Sequence, residues 1–448
     1  MPAMSLQGSR GRWSVVLLSV PIAWWLFADT FRRYVPAESG TDTLRFSYWG
    51  SIDDKQMWDE IIDRFEAAEP NWKIHGEWLP LYGYATKLDR QFVAEGAPDI
   101  ILFQDEPFPQ RAGEQFADLD EFLANDSTSQ RLLEDCWPTA RASFLHNGSL
   151  RGFPIMGGNV LIFCNLDAFD RAAKARGEAI DLPANDWTLD DFVELAIKLK
   201  VDLDGDGRTD QFGFMQPQWV YYLPFIWSHG ATLLDESLTR WTFTGPEAIA
   251  SLSMFADLRH RWHVTPLPSE YAGQNFDTAF LSGRVAMCVN GPWFEQFLMQ
   301  TGLKLRHCVA PIPRGPGGSA TRVTWDALCV YSKSSARKRE AAWRFLKTAL
   351  SDDAQASIAR RLRAVPARKS AAERFVHAGG GPGSPAAMFV DAMSSGRMQP
   401  ITEHWETMSR PIARHVTSLL FDGPARRTPE QVVEALRTDV DIQRCFGK

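Results

Sequence analysis

Short apolar runs alternate with segments of helical spacing in the first part of the chain. Residues 44–49 form an apolar run that predicts a strand, and the apolar residues from Met57 to Phe65 then recur every three or four positions, as in an amphipathic helix. Alternation over residues 72–78 predicts a second strand, and a helix that ends at Gly96 precedes a third strand over residues 99–103. Repeated strand–helix units of this kind predict a mostly parallel sheet.

The same kind of pattern returns later in the chain. Residues 160–164 predict a strand, and a helix begins near Thr188, where Asp191 follows at the spacing of a capping box. Thr244 and Thr428 are each followed by a proline and an acid or amide, which also predicts helix starts. We therefore expect a second α/β lobe. The length of 448 residues agrees with two lobes, because one compact domain needs about 100 to 200 residues.

The N-terminal segment, residues 1–40, has the pattern of a targeting sequence. Arg10 and Arg12 precede an apolar run over residues 13–28, which is typical of a signal peptide. The run is a little short for a spanning helix of roughly 20 residues, but no clear cleavage site follows it. We expect a periplasmic or otherwise extracytoplasmic protein that is either secreted or anchored in the membrane through residues 13–28.

Charge and composition exclude one class of partner and favour another. The formal net charge is −7, and no dense stretch of Lys and Arg occurs, so we expect no nucleic-acid partner. The chain contains 17 Trp and 28 Phe but 8 Tyr, which is more indole than core packing usually needs, because a buried indole N–H requires a partner. Some of the tryptophans are therefore expected to face a ligand.

The six cysteines show neither a Cys-x-x-Cys pair nor the spacing of a metal finger. Four of them lie in apolar, strand-like runs, where a free cysteine usually behaves as a small core residue. We expect at most one disulfide bond, with Cys308 and Cys329 as the candidate pair. No cofactor is expected.

An acidic turn over residues 202–210 is a candidate metal site. Asp202, Asp204, Asp206 and Asp210 are interspersed with glycines much as in a calcium loop, but the distal bidentate Glu is missing. Asp-Gly is also ordinary turn chemistry. A structural turn is preferred over a calcium site, and both interpretations stay open.

Five short motifs follow one another in a characteristic order after about residue 42. They are Phe46-Ser-Tyr-Trp-Gly50, Ile61-Ile-Asp-Arg-Phe-Glu66, Gly96-Ala-Pro-Asp-Ile-Ile101, Asn290-Gly-Pro-Trp293 and Arg339-Glu-Ala-Ala-Trp-Arg-Phe-Leu346. Each is weak alone, but their order and spacing are specific. With these motifs the chain resembles the family 1 extracellular solute-binding proteins of ABC importers, the group that includes maltose-binding protein.

The resemblance implies an α/β, two-lobed periplasmic-binding-protein fold, type II-like, with the ligand in a cleft between lobes joined by a hinge of several crossings. We place lobe 1 at residues 41–155 plus 310–360, and lobe 2 at residues 156–309 plus 361–448. The resemblance also implies a carbohydrate ligand that is delivered to the transmembrane permease subunits of an ABC importer. We expect a monomer without catalytic activity.

Sugar recognition requires flat apolar surfaces for the pyranose ring and polar side chains for its hydroxyls. Trp293 follows a predicted strand over residues 285–289 and is the best candidate for stacking, since the family pattern places this Trp in the cleft. Polar residues just after a strand are further candidates, and Trp325 and Asp326 are expected to begin a strand near the hinge. The remaining candidates, taken from strand ends, an aromatic cluster in the second lobe and family positions, are Trp49, Ser51, Tyr84, Gln104, Asp105, Glu106, Trp219, Tyr222, Arg363 and Trp405.

Two other functions stay open on the sequence. A glycoside hydrolase would need two carboxylates roughly 5 to 9 Å apart, for which Asp105 or Glu106 with Asp326 are candidates. Against an enzyme, the chain has no Ser/His/Asp order, no His-Glu-x-x-His motif and no phosphate-binding glycine loop. A sensor that signals to a membrane partner through the same closing lobes is the other alternative.

Overall fold

The computed structural model describes residues 42–81, 83–215, 219–267, 270, 276–420 and 426–447. The strands are β1 (Asp42–Trp49), β2 (Trp72–Leu79), β3 (Ile100–Gln104), β4 (Leu145–His146), β5 (Ser149–Leu150), β6 (Phe153–Asn159), β7 (Leu161–Asn165), β8 (Phe212–Met215), β9 (Val285–Asn290), β10 (His307–Ala310), β11 (Thr321–Val330), β12 (Val365–Pro366) and β13 (Gly396–Met398). The helices are α1 (Ile52–Ala68), α2 (Tyr84–Val93), α3 (Pro109–Gln115), α4 (Asp120–Leu123), α5 (Ser127–Asp135), α6 (Pro138–Ala142), α7 (Leu166–Arg176), α8 (Leu189–Leu199), α9 (Leu223–Ser228), α10 (Gly245–His260), α11 (Phe276–Leu281), α12 (Pro292–Gln300), α13 (Ala336–Ala349), α14 (Asp352–Arg360), α15 (Ala372–Ala378), α16 (Pro385–Ala392), α17 (Trp405–Leu420), α18 (Pro429–Arg437) and α19 (Val440–Phe446).

The predicted targeting segment at residues 1–40, with its apolar run, lies outside the described residues. Among the helices that the structure does describe, none combines the length and the apolar character that a membrane crossing requires.

The larger sheet forms one of the two lobes and combines strands from the beginning and the end of the chain. Its strands have the order β12-β6-β11-β3-β1-β2, and β13 lies beside the first residues of β11. β1 runs parallel to β2 and β3, as the strand–helix repeats predict, whereas β11 runs antiparallel to both β3 and β6. The sheet is therefore mixed rather than mostly parallel. The chain forms the smaller sheet between β6 and β11, and it then returns to the larger sheet in the opposite direction as β11.

α1 packs on the larger sheet and begins with a capping box. The Ser51 hydroxyl accepts from the Asp54 amide, and the Asp54 carboxylate accepts from the Ser51 amide at 2.6 Å. Trp58 is fully buried and meets Phe46 of β1 edge to face, with ring centroids 5.0 Å apart. This packing fixes the start of α1 beside the end of β1.

The smaller sheet forms the other lobe, with the strand order β10-β7-β9-β8. α8 covers one of its faces, where Phe192 packs edge to face on Phe214 of β8 with ring centroids 4.8 Å apart. The two sheets differ in their helices but share the layered helix-on-sheet arrangement of an α/β fold.

The helix starts predicted at Thr188, Thr244 and Thr428 are all confirmed, but a side-chain capping box forms at two of them. Thr188 and Thr428 each form the expected capping box at the start of α8 and α18. Thr244 precedes α10 but makes no side-chain cap, because its hydroxyl donates instead to the carbonyl of Thr242.

Within the described residues, two chain segments connect strands of the two sheets, and a third, residues 399–404, leads from β13 beside the larger sheet to α17 in the core of the second lobe. β6 of the larger sheet continues through Val160 into β7 of the smaller sheet, and residues 311–320 connect β10 of the smaller sheet to β11 of the larger one. α16 contacts both β6 and β10, so it lies across the junction. The exact lobe boundaries stay a prediction, but these crossings give the chain the two-lobed architecture that the sequence implied.

Two expectations about individual residues in the strands are wrong. Cys308 of β10 lies opposite Cys164 of β7, whereas Cys329 belongs to β11 in the other sheet, so the pairing of Cys308 with Cys329 does not fit the topology. Trp325 and Asp326 lie in the middle of β11 and do not begin a strand, because β11 starts already at Thr321.

Candidate functional site

A cavity of about 330 Å³ lies between the two lobes, where β1 and β3 of the larger sheet end. The carboxyl ends of parallel strands leave room for a ligand at such an edge, and the volume is typical of a small-molecule site. The lining residues come from both lobes. They are Trp49, Leu81, Gln104, Glu106, Gly157, Val220, Tyr221, Trp293, Arg322, Thr324, Asp326, Arg363 and Ala364.

β11 supplies the polar floor of the cavity. Arg322, Thr324 and Asp326 occupy alternate positions of this strand, so their side chains point to the same face. Gln104 of β3 lies directly opposite Asp326 in the antiparallel ladder and adds an amide to the floor. Charged, hydroxyl and amide groups are thus brought together by strand geometry alone.

Arg363 joins two carboxylates at one end of the floor. Its Nε lies 2.9 Å from Oδ1 of Asp54, and its Nη1 lies 3.7 Å from Oδ2 of Asp326. Asp54 is fixed in turn by Ser51, whose amide and hydroxyl donate to Oδ2 at 2.6 and 2.9 Å. Ser51, a predicted ligand contact, therefore does not line the cavity but positions a residue that holds Arg363.

Burial and neighbouring charges shift the pKa values of Asp326 and Arg363. Burial raises the pKa of Asp326 to about 6, although Arg363 offsets part of the rise and Asp54 adds to it. Burial acts to lower the pKa of Arg363, but Asp54 and Asp326 outweigh it and raise the pKa. The guanidinium therefore stays charged and provides fixed donors at the cavity wall.

Arg322 organises the other end of the floor. Its Nε donates to the Gln399 side-chain oxygen at 2.7 Å, and its Nη2 donates to a carboxylate oxygen of Glu106. The Arg322 side chain is 5 % exposed, but that of Glu106 is 33 % exposed. Glu106 is therefore held in place by Arg322 while part of its carboxylate faces the open cavity.

Asp105 lies behind the floor and does not line the cavity. Its carboxylate is fully buried and accepts from the Thr324 hydroxyl at 2.9 Å and from the Trp325 amide at 3.0 Å. Burial raises the pKa of Asp105 to about 7, and the nearby Glu106 adds to the rise. Asp105 ties the end of β3 to β11 from behind the cavity wall, and its contact with a ligand stays a prediction.

Trp293 stands between the two hydrophobic cores. It is the second residue of α12, and its partly buried indole packs against both cores. A Cβ at Gly291 would lie 2.3 Å from the ring, and one at Gly158 would lie 3.5 Å from it. The indole therefore lies directly against main chain at Gly291, where a larger residue would displace it from the cavity wall.

Tyr221 and Trp49 complete the aromatic part of the wall. Tyr221 lies in a short 3-10 helix, Trp219–Tyr222, and its hydroxyl is in hydrogen-bond contact with Trp293. Burial raises the pKa of Tyr221 to about 12, so the phenol keeps its proton. Trp49 is the last residue of β1 and borders the cavity from the other lobe, but it is 2 % exposed and its ring packs against Tyr84 with ring centroids 5.0 Å apart. The aromatic surface open to a ligand therefore comes from Trp293 and Tyr221, which are both partly exposed.

Two predicted site residues belong to the core of the larger sheet. The Tyr84 hydroxyl lies 3.0 and 2.9 Å from the main-chain carbonyls of Ser47 and Leu102, which satisfy it away from the cavity. Trp325 is fully buried, and its indole N–H donates to the Thr139 hydroxyl at 3.1 Å. Neither side chain lines the cavity, because each finds its polar partner inside the protein.

Three more predicted residues pack in the core of the second lobe. Trp219 and Trp405 stack at an angle with ring centroids 5.7 Å apart. Tyr222 meets Phe255 of α10 edge to face, with ring centroids 4.0 Å apart. The aromatic cluster therefore supports the wall from behind, and within it Tyr221 is the residue that reaches the cavity.

The sequence interpretation missed seven lining residues. Arg322 and Thr324 could have been found, because they precede Asp326 at the two-residue period of a strand that faces a cleft. Tyr221 lies between two of the predicted site residues, Trp219 and Tyr222, in the same aromatic cluster. No local signal distinguishes the small or apolar lining residues, Leu81, Gly157, Val220 and Ala364, from ordinary packing.

A larger groove of about 1080 Å³ lies elsewhere between the lobes, lined mainly by residues 232–238 and 396–403 together with side chains near α6. In it the Arg397 guanidinium lies 4.8 Å from the ring centre of Trp227. None of the ligand contacts predicted from the sequence lines this groove. We choose the smaller cavity as the site, because it lies at the strand ends and combines aromatic faces with fixed charged groups.

The acidic turn has the geometry of a self-contained loop. The Asp202 carboxylate accepts from the amides of Gly205 and Gly207 at 2.8 Å each, and these bonds lower its pKa. Carboxylate oxygens of Asp202, Asp204 and Asp210 lie within 4.8 Å of one another, and all three residues are exposed. Asp206 bonds the Arg208 amide instead. A calcium site at this turn stays a prediction.

Solved structures share this fold over nearly their whole length. An ABC substrate-binding protein from Listeria monocytogenes in complex with cycloalternan superposes with a TM-score of 0.78 at 21% identity, covering 91% of this chain and 99% of its own. The GacH receptor of Streptomyces glaucescens, determined without ligand and with acarbose, gives a TM-score of 0.74 at 20% identity, covering 91% and 99%. At these identities the likeness shows the fold.

Sequence relatives point in the same direction. A maltotriose-binding protein of Pyrococcus abyssi (strain GE5 / Orsay) is 22% identical over 318 residues, which are 69% of this chain and 63% of the relative. A Brucella abortus (strain 2308) protein named only as a binding protein is 23% identical over 355 residues, 78% of this chain and 81% of the relative. The family model described as bacterial extracellular solute-binding protein matches residues 60–380. Because this match spans most of the chain, the protein belongs to the bacterial extracellular solute-binding protein family.

Proposed function

We propose that this protein is the substrate-binding component of an ABC sugar importer and that it holds a neutral carbohydrate in the cavity between its lobes. The observation that carries the proposal is the pairing of aromatic faces with fixed polar groups. Trp293 and Tyr221, which are both partly exposed, offer flat surfaces for the C–H faces of a sugar ring. Arg363, Asp326 and Glu106 offer donors and acceptors for its hydroxyls. Relatives described with cycloalternan, acarbose and maltotriose support this chemistry.

The charges of the cavity favour a neutral ligand over a sugar or polyol phosphate. Both lining arginines are already paired, Arg322 with Glu106 and Arg363 with Asp54 and Asp326. A phosphate would have to compete with these carboxylates, and it would bring its own negative charge next to them. Hydroxyl groups can bond to the outer edges of the same ion pairs without breaking them.

Contacts between the lobes support closure around the ligand. Gln300 at the end of α12 donates to Oδ2 of Asp53 in α1 at 2.8 Å, and Nη1 of Arg111 in α3 donates to Oε1 of Glu406 in α17 at 3.3 Å. These bonds connect opposite lobes outside the cavity and involve partly exposed side chains. Such contacts can form and break when a few hinge residues absorb a rotation of the lobes.

The proposal includes an extracytoplasmic location, a monomeric state and a membrane partner. In this view the protein is secreted or anchored through residues 13–28 and presents its closed form to the permease subunits. A hydrolase is less well supported, because Asp105 lies behind the floor while Glu106 and Asp326 are both held by arginines. Incubation with oligosaccharides followed by product analysis separates the two functions: intact sugars are expected, and steady product formation would contradict a binding role.

Isothermal titration calorimetry tests the ligand class. The full-length protein is titrated with maltose, maltotriose and further neutral oligosaccharides, and with glycerol 3-phosphate as the charged comparison. We expect saturable binding of at least one neutral sugar and none of the phosphate. Tight binding of glycerol 3-phosphate, with no measurable binding of any neutral sugar, would overturn the proposal.

A further inference from the structure

Two cysteines face each other on the strands that leave the hinge. Cys164 of β7 and Cys308 of β10 are direct partners in an antiparallel ladder. The Leu166 amide donates to the Arg306 carbonyl at 2.9 Å, so residues 166 and 306 form a hydrogen-bonded pair. Because such pairs recur every second residue, Cys164 and Cys308 form one as well. The Cα atoms of such a pair lie about 5.5 Å apart, a usual separation in disulfides.

We propose that Cys164 and Cys308 form a cross-strand disulfide bond in the exported protein. The two side chains project from the same face of the smaller sheet, since partners in a ladder share a face. Their thiols are within hydrogen-bond contact of each other. The proposal rests on the extracytoplasmic location that the family and the proposed function imply, because disulfides persist in oxidising compartments.

The nearest other cysteine is excluded by strand geometry. Cys288 of β9 lies opposite Phe163, so it projects from the other face of the sheet than Cys164. The cores agree with this assignment: Cys288 packs in the core of the larger sheet, and Cys164 packs in that of the second lobe. Cys136 and Cys329 also belong to the core of the larger sheet. Cys288 therefore provides a matched control for any experiment on the pair.

The two thiols differ in a way that suits disulfide exchange. Cys308 lies on an edge strand and is partly exposed, and a hydrogen bond from Cys164 lowers its pKa. The Cys308 thiolate attacks a sulfur of a small disulfide such as oxidised glutathione and releases one glutathione thiol. The buried Cys164 then loses its proton and attacks the Cys308 sulfur, which releases the second glutathione thiol. Two electrons and two protons pass from the cysteines to glutathione.

The bond would join two of the chain segments that cross between the lobes. β7 continues from β6, and β10 leads to β11, so the bond fixes the edge strand β10 to its neighbour just beyond the crossings. Neither cysteine lines the ligand cavity. Thiol chemistry and sugar binding are therefore separate readouts, and failure of one proposal does not imply failure of the other.

The experiment is thiol counting and non-reducing peptide mapping of the full-length protein after equilibration with oxidised glutathione. We expect two of the six cysteines to resist alkylation in denaturant, an intact mass lower by two hydrogens, and a cross-linked peptide containing Cys164 and Cys308. Cys288→Ser should keep this peptide, and Cys308→Ser should lose it. Six alkylated thiols in the wild type, or a cross-link between any other pair, would overturn the proposal even if a serine variant failed to fold.

Discussion

Nε of Arg363 lies 2.9 Å from Oδ1 of Asp54, which ties the chain two residues before β12 to the first turn of α1. The Asp54 side chain is 2 % exposed and that of Arg363 is 16 % exposed, so the pair is largely shielded from water. The position of the Arg363 guanidinium in the cavity wall therefore depends on a helix cap that lies outside the cavity.

Arg363→Met should destabilise the protein and weaken sugar binding. The change leaves the carboxylates of Asp54 and Asp326 buried without their cation, and loss of one partner of a buried pair costs about 3 to 5 kcal/mol. Urea unfolding of the unliganded protein measures this cost. Arg360→Met, at an exposed position at the end of α14, is the control and should change the unfolding free energy little. Equal stability of the two variants would contradict a structural ion pair at Arg363.

Ser51→Ala should reduce both stability and affinity, although Ser51 does not line the cavity. Loss of the cap costs about 1 kcal/mol, and Asp54 loses the hydroxyl, one of the two Ser51 donors that orient it toward Arg363, while the Ser51 amide remains. A loss of roughly fivefold in affinity is expected if most of this energy is needed for the bound form.

Thr428→Ala provides the matched control for the Ser51 variant. It removes the same kind of capping box at the start of α18, far along the chain from the cavity residues. Both variants should lose similar stability in thermal melts, but only Ser51→Ala should lose affinity in calorimetry. An unchanged affinity in Ser51→Ala would show that Asp54 is positioned without the cap.

Asp326 should make stability fall as the pH rises. Its pKa is about 6 in the folded protein but about 3.9 in an unfolded chain. Between these values the folded state binds more protons than the unfolded state, so the unfolding free energy decreases with increasing pH. Asp326→Asn removes this titration, and its stability relative to the wild type should improve by roughly 1 to 3 kcal/mol from about pH 4 to about pH 7. A relative stability independent of pH would contradict the raised pKa.

The parts of the fold that local signals determine were predictable from the sequence. The strand at residues 44–49 and the capping box at Thr188 are confirmed, because period-two or period-3.6 patterns and short-range hydrogen bonds need no distant partner. The mixed sheet was not predicted. The direction of β11 depends on its pairing with β3 and β6, which are more than 150 residues away in the sequence, and local patterns do not report such pairing.

The sequence predicted the types of residue in the candidate site better than it predicted which individual residues line the cavity. Trp293 and Arg363 line the cavity, as do Glu106 and Asp326. Trp325 was chosen for the same reasons but is buried, because neighbours on a strand point to opposite faces and the sequence does not say which face is the cleft. Whether each lining residue contacts sugar stays a prediction.

Calcium removal should leave ligand binding unchanged. The acidic turn of Asp202, Asp204 and Asp210 is closed by its own main-chain hydrogen bonds and contributes no residue to the cavity. Sugar affinity is measured by calorimetry in a chelator and in millimolar calcium. Any stabilisation by calcium should appear as a shift in melting temperature alone. A loss of affinity in the chelator would mean that the turn is coupled to the cleft.

Trp293→Ala tests the central claim most directly, with Trp325→Ala as the contrast. Trp325 is fully buried, so its replacement should cost about 3 to 5 kcal/mol in the unliganded protein. Trp293 is partly exposed at the cavity wall, so its replacement should cost much less stability.

The decisive measurement is the affinity of folded Trp293→Ala for the neutral oligosaccharide that the wild type binds most tightly. We expect a loss of at least about 2 kcal/mol, or roughly thirtyfold, because a stacking surface in the centre of a site carries much of the binding energy. Wild-type affinity in a variant that melts like the wild type would contradict the placement of the sugar against Trp293.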